Sequence, residues 1–159
     1  SATKSDLGWS GIGQYTDLTN PYHMMLLMGA IANDGVPVQP YLIQNISSPF
    51  GIPAQTGHTQ QGQRLVEEET AQKLSALLRY DVTSYYGDSM FPGISSVCAK
   101  TGTAEVGGGK QPTGWVVGYS LDEKTPFAFA VAVEEGNYGR TSAVPIASAL
   151  LEAAAKTIS

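Results

Sequence analysis

Residues 98–105 read CAKTGTAE and place a lysine, two threonines and a glycine in one short segment. In a strand, alternate side chains project to one face, so Lys100 and Gly102 share one side and Thr101 and Thr103 share the other. Lysine supplies positive charge, threonine hydroxyls donate hydrogen bonds to a carboxylate, and a backbone N–H at a sheet edge can face an oxyanion. These residue types indicate the carboxylate-binding edge of an acyl-transfer site. The alternative is an ordinary exposed strand with one lysine, because Lys-Thr-Gly alone is short.

An acyl-transfer site also needs an activated nucleophile, and the sequence contains no convincing one. The Ser-x-x-Lys spacing, which on a helix lets the lysine deprotonate the serine, occurs once, at Ser1 and Lys4. Residues 5–13 (SDLGWSGIG) predict a loop rather than an amphipathic helix, so we interpret this spacing as a coincidence. The segment 8–12 (GWSGI) misses the G-x-S-x-G pattern by one residue, and Ser-x-Asn and Tyr-x-Asn are absent. The sequence therefore predicts no nucleophile in this chain.

Cysteine and histidine offer a second nucleophile scheme and a possible metal site. Cys98 is the single cysteine, and His23 and His58 are the two histidines. A lone cysteine excludes an internal disulfide, gives no metal-ligand spacing, and is best described as a buried thiol. We expect His23 to pack near the start of a buried helix and His58 to lie in a loop. Neither a Cys–His dyad nor a metal site is predicted.

The last third of the chain predicts a small antiparallel sheet. Residues 97–104, 113–121 and 126–135 are strand candidates joined by a glycine-rich loop and a short turn, and short links favour antiparallel pairing. The third candidate has large apolar residues on one face and alanines on the other. We expect a helix over residues 143–156 to lie close to the alanine face, with its inner side formed by Ile146, Ala149, Leu150 and Ala153. The fold class is therefore α+β, with a C-terminal helix packed on an antiparallel sheet.

Two earlier helices are also predicted. In the first, Asn20 can cap the first turn, Pro21 suits the first helical position, and Gly35 can adopt the left-handed stop. This helix is apolar nearly all round, which is typical of a buried helix rather than of a cofactor pocket. The second helix spans residues 66–82. Its acidic start predicts a solvated first turn, and its narrow apolar face consists of Leu74, Leu77 and Leu78.

Residues 36–46 predict an extended segment, and residues 47–63 predict a loop or a ragged hairpin, because they contain many helix and strand breakers. The glycine-rich segment 107–110 (GGGK) fails the phosphate-loop pattern, since the required first glycine and the final hydroxyl residue are missing. No cofactor is therefore predicted.

Composition narrows the classes of function. The chain has 159 residues, 42% of them hydrophobic and 14% charged, and a net charge of -5. The absence of a Lys/Arg cluster argues against a nucleic-acid partner. No apolar run reaches membrane-spanning length and no signal peptide begins the chain. The first residues lack a hydrophobic period, so we expect a piece of a longer protein whose anchor or export signal lies upstream.

Several blocks of the sequence together resemble one family. Lys-Thr-Gly belongs to the motif set of β-lactamases and penicillin-binding proteins, and here it extends to KTGTAE and is followed by TGWVVGYS. Upstream, GIGQYTDLTNPYHMMLLMGAIANDGVPVQPYLI resembles the region of penicillin-binding proteins with G-x-G-Q, Thr-Pro, an A-x-x-A-N-x-G helix end and a P-x-L strand. One departure is Asn20-Pro21 in place of Thr-Pro. Residues 1–159 resemble the C-terminal part of a penicillin-binding transpeptidase domain, most like class B, without the S-x-x-K and S-x-N segments.

This resemblance implies roles for the residues that match the family motif. Lys100 would line the active site, and Thr101 and Thr103 would bind the carboxylate of a peptidoglycan stem peptide or a β-lactam antibiotic, with Gly102 in the same substrate-binding strand. The backbone N–H of Thr103 would form half of the oxyanion hole. The parent protein would be a serine D,D-transpeptidase on the extracytoplasmic face of the bacterial cytoplasmic membrane, and this chain alone would be inactive. It would pair with the missing N-terminal part of its own domain or self-associate.

Other readings of the same motif stay open at this point. A D,D-carboxypeptidase or a β-lactamase relative also contains Lys-Thr-Gly. A non-catalytic binding or scaffold module could have kept the fold and lost the serine. The TGWVVGYS and G-x-G-Q blocks favour the transpeptidase.

Overall fold

The computed structural model describes residues 3–14 and 17–158. Helices α1 (Lys4–Gly11) and α2 (Pro21–Ala32) come first, followed by the short strands β1 (Val38–Gln39), β2 (Asn45–Ser47), β3 (Pro53–Thr56) and β4 (Gln60–Gln61). Helix α3 (Glu68–Asp81) continues into a π-helical turn (Val82–Tyr86) and a 3-10 turn (Asp88–Met90). Strands β5 (Val97–Ala104), β6 (Thr113–Ser120) and β7 (Ala128–Val133) lead to the last helix, α4 (Gly139–Ile158).

The last three strands form an antiparallel sheet in the order β5-β6-β7, which confirms the predicted architecture. The register aligns Val97 with Ser120 at one end of the first pair and Ala104 with Thr113 at the other. Strand β5 therefore pairs along its whole length on one side and is an edge strand among the described residues. This edge strand contains the Lys-Thr-Gly segment.

Helices cover both faces of the sheet, and the predicted face for α4 is wrong. Helix α4 packs on the face with the large side chains, where Val116 and Phe129 join Val144 and Leu151 in one core cluster. Helix α2 packs on the alanine face, near Ala128 and Ala130, in a second cluster. Small strand residues do allow a helix to lie close, but the helix on that face is α2, not α4.

The predicted inner side of α4 is also wrong. Ile146 is 44% exposed and Leu150 is 59% exposed, and Ala149 and Ala153 are exposed as well. The buried side consists of Ala143, Val144, Ala147 and Leu151. The reason is volume: the sheet face already supplies large side chains, so Ala143 and Ala147 let the helix lie close while Val144 and Leu151 fill the remaining space.

The start of α4 lies very close to the sheet because glycines remove the side chains between them. A Cβ on Gly139 would lie 2.6 Å from the carbonyl oxygen of Gly102 and would overlap the carbonyl oxygen of Trp115. Gly114 similarly lies against Ser142. This contact fixes the first turn of α4 over the C-terminal half of β5.

The beginning of the chain forms a helix where the sequence predicted a loop. Thr3 and Asp6 make a reciprocal capping box, with the Asp6 backbone N–H donating to Thr3 Oγ1 at 3.2 Å and the Thr3 N–H donating to Asp6 Oδ2 at 2.7 Å. Local capping of this kind can start a helix that has no apolar face, and α1 buries none of its residues. Lys4 is exposed at its start, whereas Ser1 lies outside the described residues.

Helix α2 begins as the sequence predicted. Asn20 accepts a hydrogen bond from the His23 backbone N–H at 2.9 Å, and Pro21 occupies the first position. Past its end, Gly35 has a φ of 88°, and its N–H donates to the Ala30 carbonyl at 2.7 Å. The His23 residue itself is exposed, so its predicted packing is wrong. Met28 and Ala30 are buried, most of the other residues from Met24 to Ile31 are half-buried, and both ends of the helix are exposed.

The middle of the chain agrees with the prediction of a ragged hairpin. Strands β2 and β3 pair antiparallel with an irregularity at Ile46 and Ser47, and β1 pairs with β4. Helix α3 falls within the predicted range, but its apolar face differs, because Ala71 is buried while Leu77 is 65% exposed. Among the described residues, no helix combines the length and hydrophobicity needed to cross a membrane.

Candidate functional site at the open edge of β5

The edge of β5 that faces away from β6 presents the backbone of alternate residues. In an antiparallel edge strand, the N–H and C=O of one residue point to the same side, and the next residue points to the other. Three contacts identify the outward set. The Val97 carbonyl accepts from Arg79, the Thr101 N–H donates to the Tyr86 hydroxyl, and the Thr103 carbonyl accepts from Gln14. The backbone of Thr103, including its N–H, therefore projects from this edge.

Gln14 connects the region of α1 to the site. Its side-chain Nε2 donates to the Thr103 carbonyl oxygen at 3.0 Å, across a separation of 89 residues in sequence. Both groups are partly buried. Gln14 is the last residue of the G-x-G-Q block. Its side-chain amide holds β5 at Thr103, the residue whose backbone N–H projects from the open edge.

Lys100 projects to the face covered by α2, opposite to Thr101 and Thr103. Its side chain is 58% exposed, and Nζ lies 3.1 Å from the Thr101 carbonyl oxygen and 3.8 Å from the Asp81 carboxylate. The ammonium group thus lies beside the strand it comes from, at the C-terminal end of α3. A cation that is more than half exposed at an open strand edge is available to a ligand or to a neighbouring catalytic group.

The two threonines lie together on the other face, as the alternation predicted. Both Thr101 and Thr103 are partly buried, and they align with Val116 and Gly114 of β6. Gly102 aligns with Trp115, and a Cβ added to Gly102 would touch the Trp115 Cβ at 3.4 Å. Lys100 and the threonine hydroxyls therefore flank the same open edge from opposite faces of the strand.

Arg79 fixes the beginning of β5. Its guanidinium donates to both oxygens of Asp88, at 2.6 and 2.7 Å, and to the Val97 carbonyl oxygen at 2.8 Å. The hydrogen bonds from Arg79 lower the pKa of the Asp88 carboxyl, and the same pairing raises the pKa of Arg79. One bidentate cation thus ties α3, the 3-10 turn and β5 together a few residues before Lys100.

The structure does not assemble a Cys–His pair. Cys98 is completely buried in the cluster with Met28 and Tyr119, whereas His23 and His58 are exposed. Burial raises the pKa of the Cys98 thiol and raises the pKa of Tyr119 to about 12. Within residues 3–14 and 17–158, no group of three or more His, Cys, Asp or Glu residues could hold a metal ion.

The candidate site is an open edge and not a closed pocket. Two cavities of the described part of the chain lie elsewhere: one of about 390 Å³ between α2 and α3, and one of about 580 Å³ beside the C-terminal end of α4. A ligand at β5 would need further walls.

The residues that the sequence predicts for the site lie on β5, but the residues that contact them were not predicted. Asp81 reaches the site from the end of α3, and Tyr86 reaches it from the π-helical turn that follows. No motif marks either residue. Only the predicted end of the helix near residue 82 could have indicated that this region lies beside β5.

Comparison with known proteins agrees with the fold and the motif. The penicillin binding protein transpeptidase domain family matches residues 2–152. A peptidoglycan D,D-transpeptidase PbpA of Mycolicibacterium smegmatis is 31% identical over 158 residues, which cover 93% of this chain and 32% of that protein. The same-named protein of Mycobacterium tuberculosis is 30% identical with the same coverage. The chain thus spans about a third of the length of these relatives.

Solved structures give the same result. Penicillin-binding protein A from M. tuberculosis, as its imipenem acyl-enzyme complex, superposes with a TM-score of 0.81 at 32% identity over 93% of this chain and 33% of that one. Its penicillin G acyl-enzyme complex gives 0.75 at 27% identity, covering 95% and 35%. The α+β fold of this chain, with Lys-Thr-Gly on an edge strand, is the fold of these transpeptidase-type structures. This chain belongs to the penicillin-binding protein transpeptidase domain family.

Proposed function

We propose that this chain supplies the substrate-binding strand of a serine D,D-transpeptidase that cross-links peptidoglycan and is acylated by β-lactam antibiotics. The observation that supports this most directly is the open edge of β5. This edge brings together three groups that a ligand can reach from one side of the strand. They are the outward backbone of Thr103, the exposed Lys100 ammonium and the Thr101 hydroxyl. A β-lactam and a stem peptide both present a carboxylate next to an acyl carbon, which is the chemistry that such an edge recognises.

Each residue has a distinct role in this proposal. Thr101 and Thr103 donate hydrogen bonds to the ligand carboxylate, and the outward N–H of Thr103 donates to the oxyanion that forms at the acyl carbon. Lys100 supplies positive charge to the hydrogen-bond network around the nucleophile. Gly102 lets the peptide backbone approach the strand.

The nucleophilic serine comes from outside residues 1–159 in this account. The single Ser-x-x-Lys spacing of the chain, at Ser1 and Lys4, begins at a residue outside the described ranges, and Lys4 starts a helix that buries no side chain. An activating lysine works from a site that excludes water, and an exposed helix on the surface does not supply one. The enzyme would act on the extracytoplasmic face of the cytoplasmic membrane, where peptidoglycan is assembled.

Intact-mass spectrometry tests the proposal on two proteins. After incubation with penicillin G, the full-length protein that contains this chain gains one penicilloyl group, whereas residues 1–159 alone gain none. Proteolytic mapping should place the adduct on a serine outside this chain. A stoichiometric adduct on Ser1 or another residue of this chain would overturn the assignment of the nucleophile. Failure of the full-length protein to react at all would favour a non-catalytic module.

A further inference from the structure

Tyr86 makes two contacts with Thr101, one of the residues proposed to bind the ligand carboxylate. Its hydroxyl oxygen lies 3.2 Å from the Thr101 backbone nitrogen and 2.9 Å from Thr101 Oγ1. Both contacts are partly buried, and the Tyr86 ring packs against the core beneath α4. The single phenol thus contacts the backbone and the side chain of the same residue, at the open edge of β5.

The directions of these two hydrogen bonds are linked. A backbone N–H can only donate, so the Tyr86 oxygen accepts at that contact. The hydroxyl keeps its own proton, and Thr101 Oγ1 lies within reach as an acceptor, while geometry alone allows either oxygen to be the donor at this second contact. A phenol is also a stronger hydrogen-bond donor than an aliphatic alcohol. With Tyr86 donating to Oγ1, the proton of the Thr101 hydroxyl must point elsewhere, towards the open side of the strand.

We infer that Tyr86 is a positioning residue that sets the direction of the Thr101 hydroxyl, so that this hydroxyl donates to a ligand carboxylate. The inference rests on the proposed function, since it assigns Thr101 a carboxylate to bind. A hydroxyl whose oxygen already accepts a hydrogen bond is a better donor itself, because hydrogen bonds in a chain polarise one another. Tyr86 therefore acts on charged ligands through Thr101.

The π-helical turn places the phenol. The turn extends α3 by five residues, from Val82 to Tyr86, and ends at Gly87, which has a φ of 82°. The Gly87 N–H closes the turn on the Val82 carbonyl at 2.7 Å. Single π-helical turns inside or at the end of α-helices frequently occur at functional sites. Here the wider turn directs Tyr86 to the strand edge, while its neighbour Tyr85 is 63% exposed.

The test compares two ligands on the full-length protein: penicillin G and its methyl ester, which lacks the free carboxylate. Tyr86→Phe keeps the ring and removes the hydroxyl. We expect it to slow acylation by penicillin G about threefold to tenfold, the range for one net hydrogen bond, and to leave acylation by the ester unchanged. Tyr85→Phe is the matched control and should change neither rate. In a Thr101→Val background, Tyr86→Phe should have no further effect on the preference for the carboxylate.

The outcomes separate this inference from the proposed function. If Thr101→Val leaves the ratio of the penicillin G rate to the ester rate unchanged, Thr101 binds no carboxylate and the proposed role of the strand fails. If Thr101→Val lowers that ratio and Tyr86→Phe does not, only the role of Tyr86 is overturned. An equal loss with both ligands would show that Tyr86 merely supports the fold, and it would also overturn the inference.

Discussion

Cys98 lies two residues before Lys100 but belongs to the interior. Its side chain is fully buried beside Met28, and burial raises the pKa of its thiol above the ordinary value. Because the thiolate is the form that reacts, both effects should make Cys98 inert in the folded chain. We expect iodoacetamide at pH 8 to modify Cys98 in urea within minutes and in the native chain only through opening of the fold. Intact-mass measurement over time checks this, and native modification at the rate of a free thiol would contradict the burial of Cys98.

The side chains on β5 could be predicted from the sequence, but the groups that contact them could not. Strand alternation alone places Lys100 and Gly102 opposite Thr101, and the register confirms that arrangement. The contact of Tyr86 with β5 depends on a π-helical turn, which contains one more residue than an α-helical turn. Such a turn leaves no periodic pattern in the sequence. Asp81 likewise reaches Lys100 only because α3 packs along β5. Chemistry local to one strand is readable from the sequence, whereas contacts between elements depend on packing.

Arg79 joins three elements, and its loss should destabilise the chain measurably. Arg79→Met keeps much of the apolar stem but removes the two hydrogen bonds to Asp88 and the one to the Val97 carbonyl. Hydrogen bonds that involve a charged group contribute about 1.5–3 kcal/mol each. The partial exposure of the pair reduces this contribution, and we expect a loss of about 1–3 kcal/mol in the free energy of unfolding, measured by urea titration.

A variant on the same helix provides the control for Arg79. Lys73 pairs with Glu69 at 2.6 Å, but both side chains are more than two-thirds exposed. Exposed ion pairs contribute about 0–1 kcal/mol, so Lys73→Met should change the unfolding free energy by about 0.5 kcal/mol or less. Equal losses for Lys73→Met and Arg79→Met would mean that Arg79 does not fix the start of β5.

The elements themselves were predictable to different degrees. The three strands were predicted from the alternation of their side chains. The start of α2 was predicted from Asn20 and Pro21, which act within the first turn of the helix. The position of α4 could not be predicted in this way. Which helix covers a sheet face depends on how the side-chain volumes of helix and sheet fit together. Helix α1 was missed because its start depends on the Thr3–Asp6 capping box rather than on an apolar period. Local signals fix where elements begin, and packing decides which surfaces meet.

Several large apolar side chains of this chain are exposed. The stretch between Gly35 and Gln63 contains no Lys, Arg, Asp or Glu, and in it Leu42 and Phe50 are 103% and 90% exposed. Helix α2 is only half-buried over most of its length. Where such side chains form a contiguous patch, that surface is usually covered by a partner. We expect the isolated chain to self-associate, with a sedimentation coefficient that rises between low and high micromolar concentration and with binding of a hydrophobic dye.

The control for self-association is a variant with less apolar surface. Leu42→Ser and Phe50→Ser together should lower both dye binding and the concentration dependence, since both side chains contact almost nothing in the folded chain. A monomeric, dye-silent chain with a single cooperative melting transition would show that the described residues form a closed core by themselves. Sedimentation velocity at several concentrations distinguishes the two results.

The most direct measurement on β5 is the acylation rate of the full-length protein with Lys100→Ala, followed with a fluorescent penicillin. Removing one polar group from a preorganised acyl-transfer site commonly costs on the order of a hundredfold in rate. Lys124→Ala, at an exposed lysine in the turn between β6 and β7, provides the control for loss of a positive charge. We predict a fall on the order of a hundredfold for Lys100→Ala and an unchanged rate for Lys124→Ala. Acylation of Lys100→Ala at the wild-type rate would contradict the assignment of this strand to the active site.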